Sequence, residues 1–374
     1  MRITCLQEVA KLTPLYEAWQ GLAAGVPFRT PAWLLSWWEH YSAGRQLCVL
    51  AAHDDNGVLR GIAPWFVASS ATQGRTLAFL GSGEVCSDYL GILASPPDRD
   101  AVVEAIGAWL LEYQGQQWDL LHLTGVAANE PTIARLTALL AAQGLTVHER
   151  PGLNTWRIAF DSDWETYVES LSKSHRKQVR RVDRRLVESG EAQLRIARTS
   201  AELAAGLDIL IDLHQRRRQS LGEPGCFADP RFTGFIRAAA ARLLAEDMLR
   251  LCWIELSGRP ISVELQLAGG GVTYAYQAGL DPEALDEEPG RIANIATLKH
   301  ALQEGQQAFD FLRGDEPYKA HWRAQPQASI DVRIVALKTT AQLRHGLWLA
   351  KDTIKQWIKT GWQRNAACEV KAVE

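Results

Sequence analysis

The chain has 374 residues, a length that at roughly 100 to 200 residues per domain predicts two domains of ordinary size. Hydrophobic residues make up 47% and charged residues 22%, which excludes disorder, coiled coil and collagen-like repeats as the dominant state. With 40 Lys and Arg against 43 Asp and Glu the formal charge is -3, so nothing global steers the protein toward DNA or acidic lipid, and any basic surface must be local.

The N-terminus, MRITCLQEVAKLTPLYEAW, lacks the apolar core of a signal peptide, and no stretch nears the roughly 20 apolar residues a bilayer span needs. Six cysteines (Cys5, Cys48, Cys86, Cys226, Cys252, Cys368) lie singly, without a C-x-x-C pair, and fit a reducing compartment, so a cytoplasmic protein with no integral membrane segment is expected. A helix is predicted over Pro31 to Tyr41, with Thr30 as N-cap and Pro31 at its first position. Trp33 and Trp37, four apart in that helix, read as core rather than as a ring-binding cleft. Strands Leu47 to His53 and Val58 to Val67 flank an Asn-Gly turn, and further strands are expected near Arg75 to Leu80 and Asp88 to Leu93. Then follow a helix from Asp98 to Tyr113, a strand from Trp118 to Leu123, a helix from Pro131 to Ala142, and short strands at Leu145 to His148 and Thr155 to Phe160.

The second half repeats this order. Helices near Ala201 to Gln219 and Pro230 to Ala245 precede strands Leu249 to Leu256, Pro260 to Leu267 and Val272 to Ala278. A helix from Gly290 to Gln303, a strand Ala308 to Leu312, a loop Arg313 to Trp322 and a strand Ile330 to Leu337 complete it. Antiparallel runs interrupted by single crossover helices predict an α/β protein with mixed sheets and an internal duplication. The expected division is 1–165, 166–340 and a C-terminal amphipathic basic helix in 341–374.

Two basic helices stand out. From Ser172 to Leu186 the bases Lys173, Arg176, Lys177, Arg180, Arg181, Arg184 and Arg185 fall on one half of a helix and Val179, Val182 and Leu186 on the other. Such a ridge suits the phosphates of a ligand or RNA; the alternative is a solvated helix that balances acidic neighbours. The stretch Leu343 to Trp362 is expected either to pack on the second domain or to make a peripheral membrane contact.

The densest chemistry lies in FDFLRGDEPYKAHW, Phe309 to Trp322, which gathers Arg313, Asp315, Glu316, Tyr318 and Lys319 at the end of a strand that also carries Asp310. Upstream, Ser262, Glu264 and Gln266 alternate with Val263, Leu265 and Leu267, so one face of an otherwise central strand is polar and lines a cleft, next to Tyr274 and Tyr276. Nine dispersed histidines and the absence of H-E-x-x-H, G-x-S-x-G and P-loop patterns predict neither a metal nor a serine nucleophile.

With these motifs the sequence resembles GNAT-type N-acyltransferases of the CelD-like branch, related to FemAB-like aminoacyl transferases, with two GNAT-like domains in tandem. The resemblance rests on FRTPAWLLSWWEHY with its following hairpin, SDYLGIL, SKSHRKQVRRVDRRL, EPGRIANIATLKHAL and DFLRGDEPYKAHW, and extends to about Leu337. It implies transfer of an acyl or aminoacyl group from a thioester or ester donor to an amine, in polysaccharide or cell-envelope biosynthesis. Acyl-CoA, such as acetyl-CoA, is the implied co-substrate, bound through Gly290, Arg291 and Asn294. Glu287-Glu288-Pro289-Gly290-Arg291-Ile292 keeps the first glycine of the expected Q/R-x-x-G-x-G/A loop but places Glu287 in its basic slot and Ile292 in its last small slot.

Gly91 to Asp98 has no glycine-rich loop, so the first domain reads as a degenerate copy. Amide formation needs a base, oxyanion donors and an acid: Asp310 or Asp315, then Glu264, are the candidate bases, Tyr276 the acid, and Lys319 and Arg313 the charge stabilisers. Asp88, Tyr89, Arg176, Arg180, Arg313 and Tyr318 are the expected substrate contacts. For Asp315 the competing expectation is an ion pair with Arg313 or Lys319 that fixes the loop. The partners implied are a small-molecule or saccharide amine, with tRNA as an alternative donor carrier. The rival class is a non-catalytic accessory protein of a polysaccharide-synthesis complex.

Overall fold

A computed structural model describes residues 1–351. In the first sheet β1 (Arg2–Leu6), β2 (Arg45–His53), β3 (Leu59–Ser70) and β4 (Gly74–Phe79) pair antiparallel in succession, with the two-residue β5 (Leu93–Ala94) beside β3. A crossover through the helix Arg99–Tyr113 returns the chain parallel to β4 as β6 (Leu120–Ala127), and β7 (Thr146–Pro151) lies at the far edge. The strand after it, β8 (Thr155–Ala159), leaves this sheet altogether.

The second sheet repeats the plan. Here β9 (Ala192–Ile196), β10 (Leu249–Leu256), β11 (Arg259–Gly269) and β12 (Val272–Leu280) are antiparallel, and β12 pairs parallel with β13 (Ala308–Arg313) after a second crossover helix. Each sheet is completed by a strand from the other half: β8 and β14 (Gln325–Gln327) pair beyond β13, whereas β15 (Ser329–Val335) runs between β6 and β7. The two orders, β1-β2-β3-β4-β6-β15-β7 and β9-β10-β11-β12-β13-β8-β14, are the same path with one strand exchanged. Mixed sheets and duplication follow the sequence expectation. A boundary at 165, by contrast, puts β8 with the first unit, where the structure makes it part of the second sheet, because Arg157 and Ile158 find ladder partners in Asp310 and Phe309.

Helices are placed where capping chemistry and proline put them. They are α1 (Tyr16–Leu22), α2 (Pro31–Tyr41), α3 (Arg99–Tyr113), α4 (Pro131–Ala142), α5 (Trp164–Ser170), α6 (Lys173–Val182), α7 (Ser200–Ser220), α8 (Pro230–Ala245), α9 (Pro289–Gln303) and α10 (Pro317–His321). In α2 the Thr30 hydroxyl accepts the Trp33 amide and Pro31 fills the first turn, as predicted. The predicted strand Asp88 to Leu93 is irregular except at its end, because Tyr89 has a positive φ and Asp88 turns into the molecule.

Trp33, Trp37 and Trp65 are core residues. Trp33 also joins the halves, its ring centroid 4.7 Å from Phe235 on α8 and 5.0 Å from Tyr276 on β12. Residues 339–351 are helical but pack on the first sheet, not on the second domain: Gln342 accepts the Thr146 hydroxyl, and the ring of Trp348 lies edge-on to His148. The remainder of the predicted basic helix lies outside the described residues.

Candidate active site

Parallel strands β12 and β13 pair only through Val272, Tyr274 and their neighbours opposite Ala308 to Asp310. Beyond those residues the two strands separate, and a cavity of about 660 Å³ opens between Ala275–Leu280 on one side and Phe311–Arg313 on the other. Tyr276 is skipped in the β11–β12 register, a bulge that turns the β12 edge toward the opening. The N-terminal turns of α6 (Ser172, Ser174, His175) and α9 (Gly290, Arg291, Asn294) close one side, and α10 with Trp322 closes another. Eight predicted residues therefore line one cavity: Glu264, Tyr276, Gly290, Arg291, Asn294, Arg313, Tyr318 and Lys319.

Glu264 projects into it from β11. Its carboxylate accepts a hydrogen bond from Gln266 Nε2 at 2.6 Å, and desolvation by burial raises its pKa above the ordinary glutamate value. Desolvation, and then the charges of Glu264 and Glu316, raise the Tyr318 hydroxyl on the cavity wall. Tyr276 donates its hydroxyl proton to the carbonyl of Val85, 2.6 Å away in the loop after β4, so that hydroxyl is a strut between the halves.

Most of the ionisable loop has a different task. Lys319, 2% exposed, donates to the carbonyls of Leu312, Arg313 and Gly314 at 3.0–3.1 Å and pairs with Glu316 at 2.9 Å, which engages its whole donor capacity. It clamps the turn in which Leu312 and Gly314 have φ of 57° and 113°. Asp310 is fully buried and accepts from Tyr89 Oη, Arg157 Nε and the Leu312 amide. Asp315 is exposed and accepts from Trp156 Nε1 and Asn154 Nδ2, pairing with neither Arg313 nor Lys319. Of the three candidate bases Glu264 lines the cavity, and Asp310 and Asp315 do not.

Asp88 and Tyr89, expected as substrate contacts, hold the halves together. Asp88 pairs with the Arg313 guanidinium at 2.7 Å, and Tyr89 reaches Asp310. This close approach requires Gly125, whose φ is +71° and where a Cβ would lie 2.4 Å from the Ser87 carbonyl oxygen. Arg176 and Arg180 are paired with Glu169 on α5, and Arg181 bonds Glu288 at 2.8 Å. Three of the seven ridge bases thus meet acidic neighbours, and none of the seven lines the cavity. Accordingly Arg180→Glu should change the melting temperature and turnover little, because exposed ion pairs contribute about 0–1 kcal/mol; thermal melts and steady-state rates check this.

Sequence reasoning missed His175. Its amide is accepted by the N-cap hydroxyl of Ser172, its Nδ1 lies 2.9 Å from the His321 carbonyl, and its ring meets Trp322 edge-on at 4.7 Å. Desolvation lowers its pKa below the ordinary histidine value. The signal was its place in the first turn of α6, masked by the surrounding bases.

The α9 turn tests the coenzyme expectation. Pro289 has no amide proton, and the Arg291 and Ile292 amides donate to the Glu288 carbonyl, leaving the Gly290 amide to offer a ligand. The Arg291 guanidinium is ion-paired with Glu288. One amide beside a carboxylate does not fit a pyrophosphate well. Among the described residues no cluster of three or more His, Cys, Asp or Glu is placed to hold a metal.

Residues 173–320 match the family described as acetyltransferase (GNAT) domain. No curated protein sequence matches the chain. Among solved structures, FemX is similar with a TM-score of 0.67 at 12% identity, over 93% of this chain and 99% of that one. The C-terminal domain of a putative lysylphosphatidylglycerol synthetase from Agrobacterium fabrum superposes with a TM-score of 0.54 at 8% identity, covering 91% and 96%. The structure of L-PGS from Bacillus licheniformis gives 0.51 at 10%, covering 87% and 97%. The match to the GNAT acetyltransferase family thus covers the segment from α6 to α10, and the chain as a whole shares the fold of FemX.

Proposed function

We propose that the protein is an N-acyltransferase that moves an acyl or aminoacyl group from a thioester or ester donor to an amine, with the reaction in the cavity between β12 and β13. The observation that carries this reading is the separation of those strands around a desolvated carboxylate, Glu264, within the matched GNAT domain. Glu264 takes the proton from the attacking amine and returns it to the thiol or hydroxyl that leaves as the tetrahedral intermediate collapses, and its raised pKa brings it closer to neutral pH, where such a proton carrier works best. The β12 edge around the Tyr276 bulge supplies backbone donors for the oxyanion.

Two donor classes remain in play. The family match supports acyl-CoA, acetyl-CoA in the simplest case. The α9 turn, with its single free amide and its Glu288 carboxylate, favours an aminoacyl ester, tRNA-borne in the FemAB-like reading. A saccharide or other small amine in polysaccharide or envelope biosynthesis is the acceptor class, and a cytoplasmic location suits either donor. Single-turnover assays with radiolabelled acetyl-CoA and aminoacyl-tRNA, each offered with a panel of amino sugars and amino acids, test the proposal. Acyl transfer from one donor is expected, and no transfer or donor hydrolysis from either would overturn it.

A further inference from the structure

The helix over 339–351 has two unlike faces. Inward lie Ala341 and His345, both buried, and Trp348, whose ring stacks on His345 at 5.6 Å and covers the Arg333 guanidinium at 4.1 Å. At about 100° per residue the opposite face is Leu343, Leu347 and Ala350. It is bare: Leu343 is 65% and Leu347 74% exposed, the highest values among the exposed large hydrophobic residues described, and Leu337 just before the helix is 54% exposed. Leucines at helical spacing pointing straight away from the core do nothing for the fold, and such patches mark contact surfaces.

Charge selects the partner. From residue 338 to 364 the sequence carries six bases (Lys338, Arg344, Lys351, Lys355, Lys359, Arg364) and one acid, Asp352, in a chain whose net charge is -3. On the same helical count Arg344 and Lys351 fall on one flank of the leucine face. Beside the helix, Arg75, Lys338, Thr340 and Arg344 rim a shallow basin whose carboxylate, Asp119, already accepts from Arg75. A second copy docking through this face would bring two base-rich flanks together. An anionic surface would accept both the leucines and the bases.

We propose that the Leu343–Leu347 face, with its flanking bases, seats the protein on a bilayer containing anionic phospholipid, the leucines entering among the acyl chains and the bases lying at the headgroups. This does not depend on the transferase reading. The full chain is floated with vesicles of phosphatidylcholine alone and of phosphatidylcholine with phosphatidylglycerol, at low and high salt. Flotation with the anionic vesicles that weakens with salt is expected. Leu343→Asp should lower partitioning more than tenfold, since burying a leucine is worth at least that factor, and Lys351→Ala about fivefold. Both sites are exposed, so their thermal melts should match the parent, and Leu347→Asp provides an independent check. The proposal fails if the anionic vesicles are not bound, if the aspartate variants float equally well, or if sedimentation without lipid shows a dimer that Leu343→Asp abolishes.

Discussion

Replacing Glu264 by Gln should lower turnover by about 10²- to 10⁴-fold and leave the protein at least as stable. Glutamine keeps the length of the side chain and an oxygen for the Gln266 Nε2 donor at 2.6 Å, and loses only the ability to take a proton. Stability moves the other way because desolvation raises the Glu264 pKa in the folded protein. Between the ordinary glutamate pKa and that raised value the folded state holds a proton the unfolded state has released, so stability falls as pH rises through the window and recovers as pH drops below it. Glu264→Gln removes this slope and should raise the melting temperature at neutral pH. In the parent, single-turnover rates should increase with pH through the same raised carboxylate pKa, where the base becomes available. Unchanged turnover in the variant, with a higher melting temperature, would make Glu264 a buried carboxylate without a catalytic task.

Much of the architecture was readable in the sequence because local chemistry sets it. The bounds of α4 and α8 match their expected ranges, each opened by proline in the first turn. The hairpins fell where turn residues separate alternating strands. The strand exchange was not readable, since Thr155–Ala159 and Ser329–Val335 are ordinary strand sequences and only long-range pairing assigns each to the other half's sheet. The site divides in the same way. Alternation along β11 pointed to Glu264, a pattern fixed by the pleat. The aspartates of FDFLRGDEPYKAHW drew attention by density, but a carboxylate's role depends on which donors reach it. Those donors, Tyr89, Asn154, Trp156 and Arg157, lie more than 150 residues away in sequence. Glu169 on α5, which no pattern tied to α6, is the partner of Arg176 and Arg180 in the basic ridge.

Arg157→Met should cost about 3 kcal/mol of stability, with several degrees of lowered melting temperature. Arg157 donates through Nε to Asp310 at 2.9 Å, and its guanidinium lies 5.2 Å from the Tyr89 ring centroid. Asp310 is fully buried while the Arg157 side chain is 31% exposed, so removing the arginine strands a carboxylate that no water can reach, which is the costly half of a broken buried pair. The remaining donors, Tyr89 Oη and the Leu312 amide, are neutral and recover only part of the loss. Asp310→Asn should cost less, because the charge it leaves behind is the one nearer solvent. The double variant should recover most of the Arg157→Met penalty, a non-additivity that a double-mutant cycle by thermal or denaturant melts reads directly. Since Asp310 anchors β13 just before the Lys319-clamped turn, turnover in Arg157→Met should fall together with stability and modestly. A large turnover loss in Asp310→Asn at unchanged melting temperature would instead return Asp310 to the chemistry.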